Sequence, residues 1–412
     1  MLGQGWGICD AGGVTPSPPQ TDLAIVGAGI AGCSLVACLR REGWSGSITL
    51  LDSGRGAGGR AATRRSRQAP DRPINHGAPL FNSDAAAPHG LITALSAGGW
   101  IEPFSGPIHC LNEAGQIGPP RADGFSHGTL WQGCGGSDRV ATGLLALAAE
   151  HPGHTALRTG TLVRRLCPED SAEGLRWTLQ GPDGQRLLTS RWLVLSGSLL
   201  THRRCQSVFG WETIPLQQAA AVLQDPQLDQ ASGALAAIES TASSNLLLNL
   251  PPALSETWRR QPWRLLQVAP AAQQRWGLRR VSLQEQTAGR CAVVAESSPG
   301  FAARHRAVYG SRSAAAQLLG AAPEANAEAA VIEALDQAVQ DALGLSTAGA
   351  DRQLMRWGAA FPQPPGLPTE LQLCPESRIG FCGDCINTHG FGRVEGAINS
   401  ATALAAKLLP HL

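Results

Sequence analysis

Lysine is almost missing from this 412-residue chain: Lys407 is the only one, and every other formally positive side chain at neutral pH is arginine. So general a skew reads as a property of the coding sequence and carries no functional weight. Charge of either sign is scarce, 16% of residues, and it balances at 33 Lys+Arg against 32 Asp+Glu for a net +1. Nothing in that balance draws polyanions, and no nucleic-acid partner is expected. Nowhere do eighteen apolar residues run together, which excludes a transmembrane helix. The eleven cysteines are scattered and odd in number. A disulfide framework is therefore not expected in a chain long enough to bury its own core, and a reducing, cytoplasmic setting fits best. Residues 1–20 have neither a basic n-region nor an apolar h-region, and their Gly/Pro content predicts a poorly ordered lead rather than a secretory signal.

What is present is organised. Single cores stop growing at roughly 250 to 300 residues, so this length predicts two domains. "DLAIVG" is a buried-strand pattern, "GAGIAG" a glycine turn, "IAGCSLVACLRREG" a helix ending at Gly43, and "SITLLD" a second strand. That βαβ unit implies a parallel sheet, with the turn at its carboxyl edge. A helix capped by Ser137 or Asp138 and a hairpin turn at Pro182-Asp183-Gly184 follow. The predicted class is α/β: a Rossmann-like, doubly wound parallel-sheet domain built from 21–84, 130–202 and 350–412, and a mixed-sheet substrate domain from 85–129 and 203–349.

Gly27-Ala28-Gly29-Ile30-Ala31-Gly32 fits the dinucleotide fingerprint. The first glycine permits the tight turn, the second admits a pyrophosphate, and the third lets helix and strand pack closely. Asp52 closes the second strand where the fingerprint needs an acid for ribose hydroxyls, which argues against a ribose 2′-phosphate. After it, "SGRGAGGRAATRR" extends the edge with glycines for close backbone approach and arginines able to pair with phosphate or a flavin edge. This favours FAD over NAD. Cys382-Gly-Asp-Cys385 raises a second reading, a redox-active pair, but no second nucleotide fingerprint serves it, and one close pair cannot make a structural zinc site. A structural Cys382 and an incidental Cys385 are favoured. "GTLWQGCGGSD" reads as a turn feeding the helix at 138, with Trp131 as a core or pocket wall.

At this point the chain resembles the renalase-like group of flavin-dependent amine oxidoreductases. Arg55, Gly56, Gly58, Gly59, Arg60, Ala62, Thr63, Arg64 and Arg65 match that group's "SRG", "GGR" and "ATRR". His76, Gly77 and Ala78 match a segment beside the flavin in which Asn75 and Pro79 replace the usual acid and amide. Trp276 and the strands after it resemble the substrate-side strand pair, without the group's Asn and Lys-Pro. Arg356-Trp357 resembles the "RW" strand that precedes the last turn. Gly383-Asp384 matches the "GD" turn at the ribityl chain or pyrophosphate, and Val394, Glu395 and Ala397 lie in the matching start of the last helix. The resemblance implies FAD held by Gly27, Ala28, Gly29, Ala31, Gly32, Asp52, Ser53, Arg55, Gly58, Gly59, Arg60, Ala61, Thr63, His76, Gly77, Ala78, Pro79, Val163, Gly383, Asp384, Val394, Glu395 and Ala397. A helix N-terminus carries about half a positive charge, so Val394, Glu395 and Gly396 are expected to face the pyrimidine end of the ring.

The expected activity is hydride transfer from a small substrate, a dihydronicotinamide isomer or an amine-like compound, to flavin N5, with reoxidation by oxygen. No catalytic base is assigned; His76, Trp276, Trp357 and His389 are pocket candidates, and no metal is expected. The alternatives are an amine oxidase or desaturase acting on an apolar substrate, and a flavin-binding protein without turnover.

Overall fold

The structure is a computed structural model that describes residues 19–66, 70–84, 89–122, 127–310, 313–321 and 325–412. Strand β1 (Gln20–Val26), helix α1 (Ile30–Arg41) and strand β2 (Ile48–Leu51) form the expected βαβ unit, with the strands parallel, β2 buried throughout and β1 buried at Leu23–Ile25. A strand covered on both faces needs continuous apolar sequence, which "LAIV" and "ITLL" supply. Around this unit an eight-stranded sheet assembles among the described residues, in the order Thr155–Arg158, β2, β1, Arg186–Leu195, Arg176–Gln180, Arg165–Glu169. Ile379–Phe381 joins it as a parallel partner of Leu193–Leu195, bringing the C-terminal segment to the carboxyl edge one strand away from β1. The helices Ile30–Arg41, Arg139–Ala149 and Val394–Leu408 cover one face, where Leu35, Leu39, Leu144 and Leu404 meet Ile25 and Val194.

The second large sheet has seven strands, ordered Asp351–Pro362, Ser240–Asn249, Cys291–Ser297, Leu278–Glu285, Leu265–Val268, Ile108–Leu111, Ile117–Gly118. Its two faces are chemically different. Leu246, Leu248, Val281, Leu283, Val293 and Ala295 point to one side, where Val331, Leu335 and Val339 of helix Ala325–Leu343 close a core. By strand alternation Asn245, Leu247, Ser282, Gln284, Val294 and Glu296 point to the other, toward the nucleotide-binding half. Residues 71–77 lie across part of that face: Ile74 packs with Leu247, Ala292 and Val294, while the side-chain N–H of Gln284 donates to Asn75 O (2.8 Å).

Three local expectations change, and the first is that helix Gly90–Ala97 and the helices Arg204–Phe209, Pro215–Leu223 and Pro226–Ala237, expected in the substrate domain, pack into the cores of the first sheet. Strand Asp351–Pro362, expected with the nucleotide-binding part, pairs along Ser240–Asn249 in the second sheet, so in sheet membership the change from substrate to nucleotide half falls after Pro362. Asp138 stands at the N-cap of helix Arg139–Ala149 but makes no side-chain cap, because Arg65 takes its carboxylate in an ion pair. Gly43 and the 181–184 hairpin turn fall as expected, with left-handed backbone at Gly43 (φ 85°) and Gly184 (φ 80°).

Candidate functional site

The glycine turn sits at the carboxyl edge of the parallel sheet and is built with no spare room. Gly27 has φ 112°, and a Cβ on Gly32 would lie 2.1 Å from Gly27 O, so only hydrogen fits where α1 crosses the end of β1. Gly29 is different: an added Cβ would meet only Gly59 Cα, at 4.0 Å, so its face is open. Helix α1 starts at Gly29 without a side-chain cap and without an acid in its first turn. Its first N–H groups and the positive end of its dipole thus remain available to an anion.

Asp52 links the second strand to this turn. Its Oδ2 accepts the Ala28 N–H at 2.7 Å and its Oδ1 accepts the Gly54 N–H at 2.6 Å. Gly58 N–H donates to Ala28 O at 2.9 Å, so the 53–59 loop is pinned beside the fingerprint, with Ala61 buried just after it. Gly59 has φ 57°, and a Cβ there would lie 3.1 Å from Gly29 Cα. Thr161 N–H donates to Asp52 O (2.9 Å), so the extended segment leading to buried Val163 passes this corner. Ser53 lines a neighbouring cavity of about 220 Å³, together with Ser198, Arg204 and Arg356. Arg55 is solvent-exposed.

Arg60 reaches across the cleft. It pairs with Asp384 of the Gly383-Asp384 turn and donates from Nη1 to Ala360 O at 2.8 Å, joining the loop after β2 to both C-terminal strands. Residues 76–78 run back along 60–62, with His76 N–H on Ala62 O (3.3 Å) and Ala78 N–H on Arg60 O (2.9 Å). A Cβ on Gly77 would fall 1.8 Å from Arg60 O, which explains the glycine. Asn75 performs an acceptor's work: its Oδ1 takes the Thr63 hydroxyl (2.8 Å) and the Ser137 N–H (2.9 Å). Pro79 is buried immediately beyond.

His76 is buried, its ring stacked on Trp357 with centroids 5.6 Å apart, and among the described residues its Nδ1 has no hydrogen-bond partner. Burial first, then the nearby Arg64 charge, pushes its pKa down to about 4, so the imidazole is neutral at physiological pH. Asn245 Nδ2 (2.6 Å) and Trp357 Nε1 (3.2 Å) both donate to His76 O, tying the segment to the second sheet. Asn245 stands next to Glu296 in register, and Glu296 accepts from Arg279 Nη1 (3.0 Å) and from Arg280 Nε and Nη2 (3.1 and 2.6 Å). Burial works to raise the Glu296 carboxyl, and the two guanidiniums outweigh it and hold it below the usual range. Asn245 carried no signal in sequence beyond opening the apolar run "NLLLNL", and Arg279 and Glu296 fell in the strands that resemble the substrate-side pair without a role of their own.

The C-terminal features are arranged otherwise than expected. Glu395 lies in the first turn of helix Val394–Leu408 and is buried, with Oε1 accepting the Asp84 N–H (2.8 Å) and Oε2 facing Arg393 Nη2 (3.4 Å) and His389 Nε2 (3.6 Å). Gly390 packs against this helix start, since a Cβ on Gly396 would lie 2.2 Å from Gly390 O. A buried carboxylate and a loop therefore occupy part of that terminus, while Ala397 faces the core and Val394 packs at its edge. His389 is exposed, facing Glu395 and Asp84 rather than His76. Trp276 is placed apart from the other candidates: it packs on the far-side core, under Arg275 (4.4 Å), whereas His76 and Trp357 stand on the opposite face of the same sheet. Trp131 is in the core of the nucleotide half.

Cys382 and Cys385 are both free thiols, each pushed up to about 12, by burial first in both cases. A redox pair needs an accessible thiolate, so this arrangement is structural. Among the described residues no group of His, Cys, Asp or Glu could hold a metal, and no helix is long and apolar enough to cross a membrane.

Fold and edge together define an α/β protein with a Rossmann-like dinucleotide-binding half and a second, mixed sheet beside it. Comparison agrees. Residues 25–90 match the family model of the NAD(P)-binding Rossmann-like domain. Among solved structures the chain is similar to the cyclohexylamine oxidase of Brevibacterium oxydans (14% identity, 95% of this chain and 99% of that one, TM-score 0.61). It is also similar to a putrescine oxidase bound to putrescine (13%, 96% and 100%, TM-score 0.57) and to an oxidoreductase from Methanosarcina mazei (11%, 93% and 100%, TM-score 0.60). These identities establish a shared fold across nearly the whole chain. No curated protein matches the sequence.

Proposed function

We propose that this protein is an FAD-dependent oxidoreductase that takes a hydride from a small substrate, a dihydronicotinamide isomer or an amine-like compound, in the manner of the renalase-like group. The observation that carries the reading is the continuity of the cradle. The open face of Gly29, the uncapped α1 start, Asp52, the pinned 53–59 loop and the Arg60–Asp384 pair form one connected edge. That edge leads to the His76–Trp357 stack on the second sheet, a longer path than a nicotinamide dehydrogenase requires after its second strand. The full-length likeness to two amine oxidase structures supports the same reading.

In this account the Gly27–Gly32 turn and the α1 N-terminus hold the pyrophosphate, Asp52 the ribose, and Arg60, Gly383 and Asp384 the middle of the dinucleotide. Val163 and Ser53 belong to the adenosine end, and Thr63, His76, Gly77, Ala78 and Pro79 to the ring end. FAD held there would supply a hydride acceptor that oxygen can return to its oxidised form. The protein's share is orientation and exclusion of water: a neutral His76 and the apolar ring of Trp357 keep solvent from one wall without adding charge. The two-part division, with substrate bound between the cradle and the second sheet, follows from the same arrangement.

Anaerobic mixing of the flavin-loaded protein with a panel of dihydronicotinamides and amines tests this. At least one should bleach the flavin absorbance, and air should restore it. A flavin that none of them reduces would favour binding without turnover.

A further inference from the structure

The substrate-side wall of the cleft contains a guanidinium whose donors are mostly unspent. Arg279 gives one N–H, from Nη1, to Glu296 Oε1, and among the described residues no second acceptor holds it. Glu296 is itself already gripped by two N–H groups of Arg280, so its charge is divided between them. Beneath it, the Arg279 guanidinium lies over the ring of Phe361 at 3.9 Å, and its side chain stays 39% exposed. Phe361 follows Ala360, whose carbonyl receives Arg60, and Glu296, which Arg279 binds, is the register partner of Asn245. A guanidinium set over an aromatic ring, held by a buried carboxylate and partly exposed, is preorganised to pair with an oxyanion. It would oppose a cationic ammonium at the same place.

We infer that the substrate is an anion whose carboxylate or phosphate is recognised by Arg279, and that protonated amines are not its substrates. This rests on the cleft being the substrate side of a flavin oxidoreductase and narrows the two substrate classes given above to acidic compounds, among them nucleotide forms of a dihydronicotinamide.

Calorimetric titration of the purified protein with benzoate, phenyl phosphate, benzylamine and neutral benzyl alcohol tests it, since the ring is constant and only the charged group changes. Benzoate or phenyl phosphate should bind more tightly than benzylamine, and the tighter of the two tells a carboxylate from a phosphate. Arg279→Gln should weaken that anion about 10- to 100-fold, the loss of a charge-assisted hydrogen bond, and leave benzyl alcohol unchanged. Arg279→Lys, which keeps the charge, should recover part of the loss. Benzylamine binding as tightly as the anions, no binding of either anion, or an Arg279→Gln protein that holds the anion as before would each overturn the inference. Flavin content is measured on the same samples. Anion binding through Arg279 in a protein without flavin would refute the cofactor reading alone, and preference for benzylamine in a yellow protein would refute the anionic substrate alone.

Discussion

Asp52→Asn separates two roles that the fingerprint merges. In the structure the Asp52 carboxylate holds two backbone N–H groups, Ala28 at 2.7 Å and Gly54 at 2.6 Å, before any ligand is considered. The amide has one oxygen and one NH₂, so in either orientation it keeps one of these bonds and turns a donor toward the other N–H. The loss is one hydrogen bond to a charged group, about 1.5–3 kcal/mol, with donor facing donor adding to it. Spread over 412 residues, at roughly 2 cal/mol/K of unfolding entropy per residue, that is a drop in Tm of about 2–4 °C. The assay is thermal unfolding of cofactor-free protein, wild type against variant. An Asp52 that served only to meet ribose hydroxyls would leave the cofactor-free Tm unchanged, and that result would refute the structural role argued here.

His76 is neutral when folded down to about pH 4, against 6.5 unfolded, so its contribution is fully present above pH 6.5 and is lost as pH falls toward 4. His76→Phe should flatten the acid limb of a stability-against-pH curve, by up to about 3 kcal/mol between pH 7 and 4, as urea titrations would show. Arg60→Gln and Asp384→Asn should be less than additive, with a coupling near 1 kcal/mol because the arginine side chain is 43% exposed; a double-mutant cycle that returns zero would remove the crossing from the account. Cys382 and Cys385 should resist alkylation at pH 8 in the folded protein, and Cys385→Ser should leave flavin reduction intact. Rapid labelling of Cys382 would contradict its burial, and rapid labelling of Cys385 its raised thiol.

The nucleotide-binding edge was legible in sequence because its signals are local: a period change from strand to helix, glycines at fixed spacing and an acid at the end of the second strand. Those requirements concern backbone conformation, which neighbouring residues set, and Gly27, Gly32 and Gly59 show them directly. The wall formed by the second sheet was legible only in part. Asn245, Arg279 and Glu296 lie on three separate strands, brought together with Trp357, already a pocket candidate on a fourth, by strand order and register alone. Trp276 shows the converse: its place beside a matching strand made it a pocket candidate, but it packs on the opposite face, with the helical core. Competition for one carboxylate also escaped pattern reading, since Arg65 draws Asp138 away from the helix end it would cap.

The visible spectrum of the purified protein, before and after incubation with FAD, shows whether the glycine-lined edge holds a flavin. Flavin absorbance is expected at one FAD per chain, and its loss in Gly59→Val, where a branched side chain is forced into φ 57° with its Cβ 3.1 Å from Gly29 Cα. A folded protein that stays colourless with FAD and binds NAD instead, or a Gly59→Val variant that remains fully yellow, would contradict it.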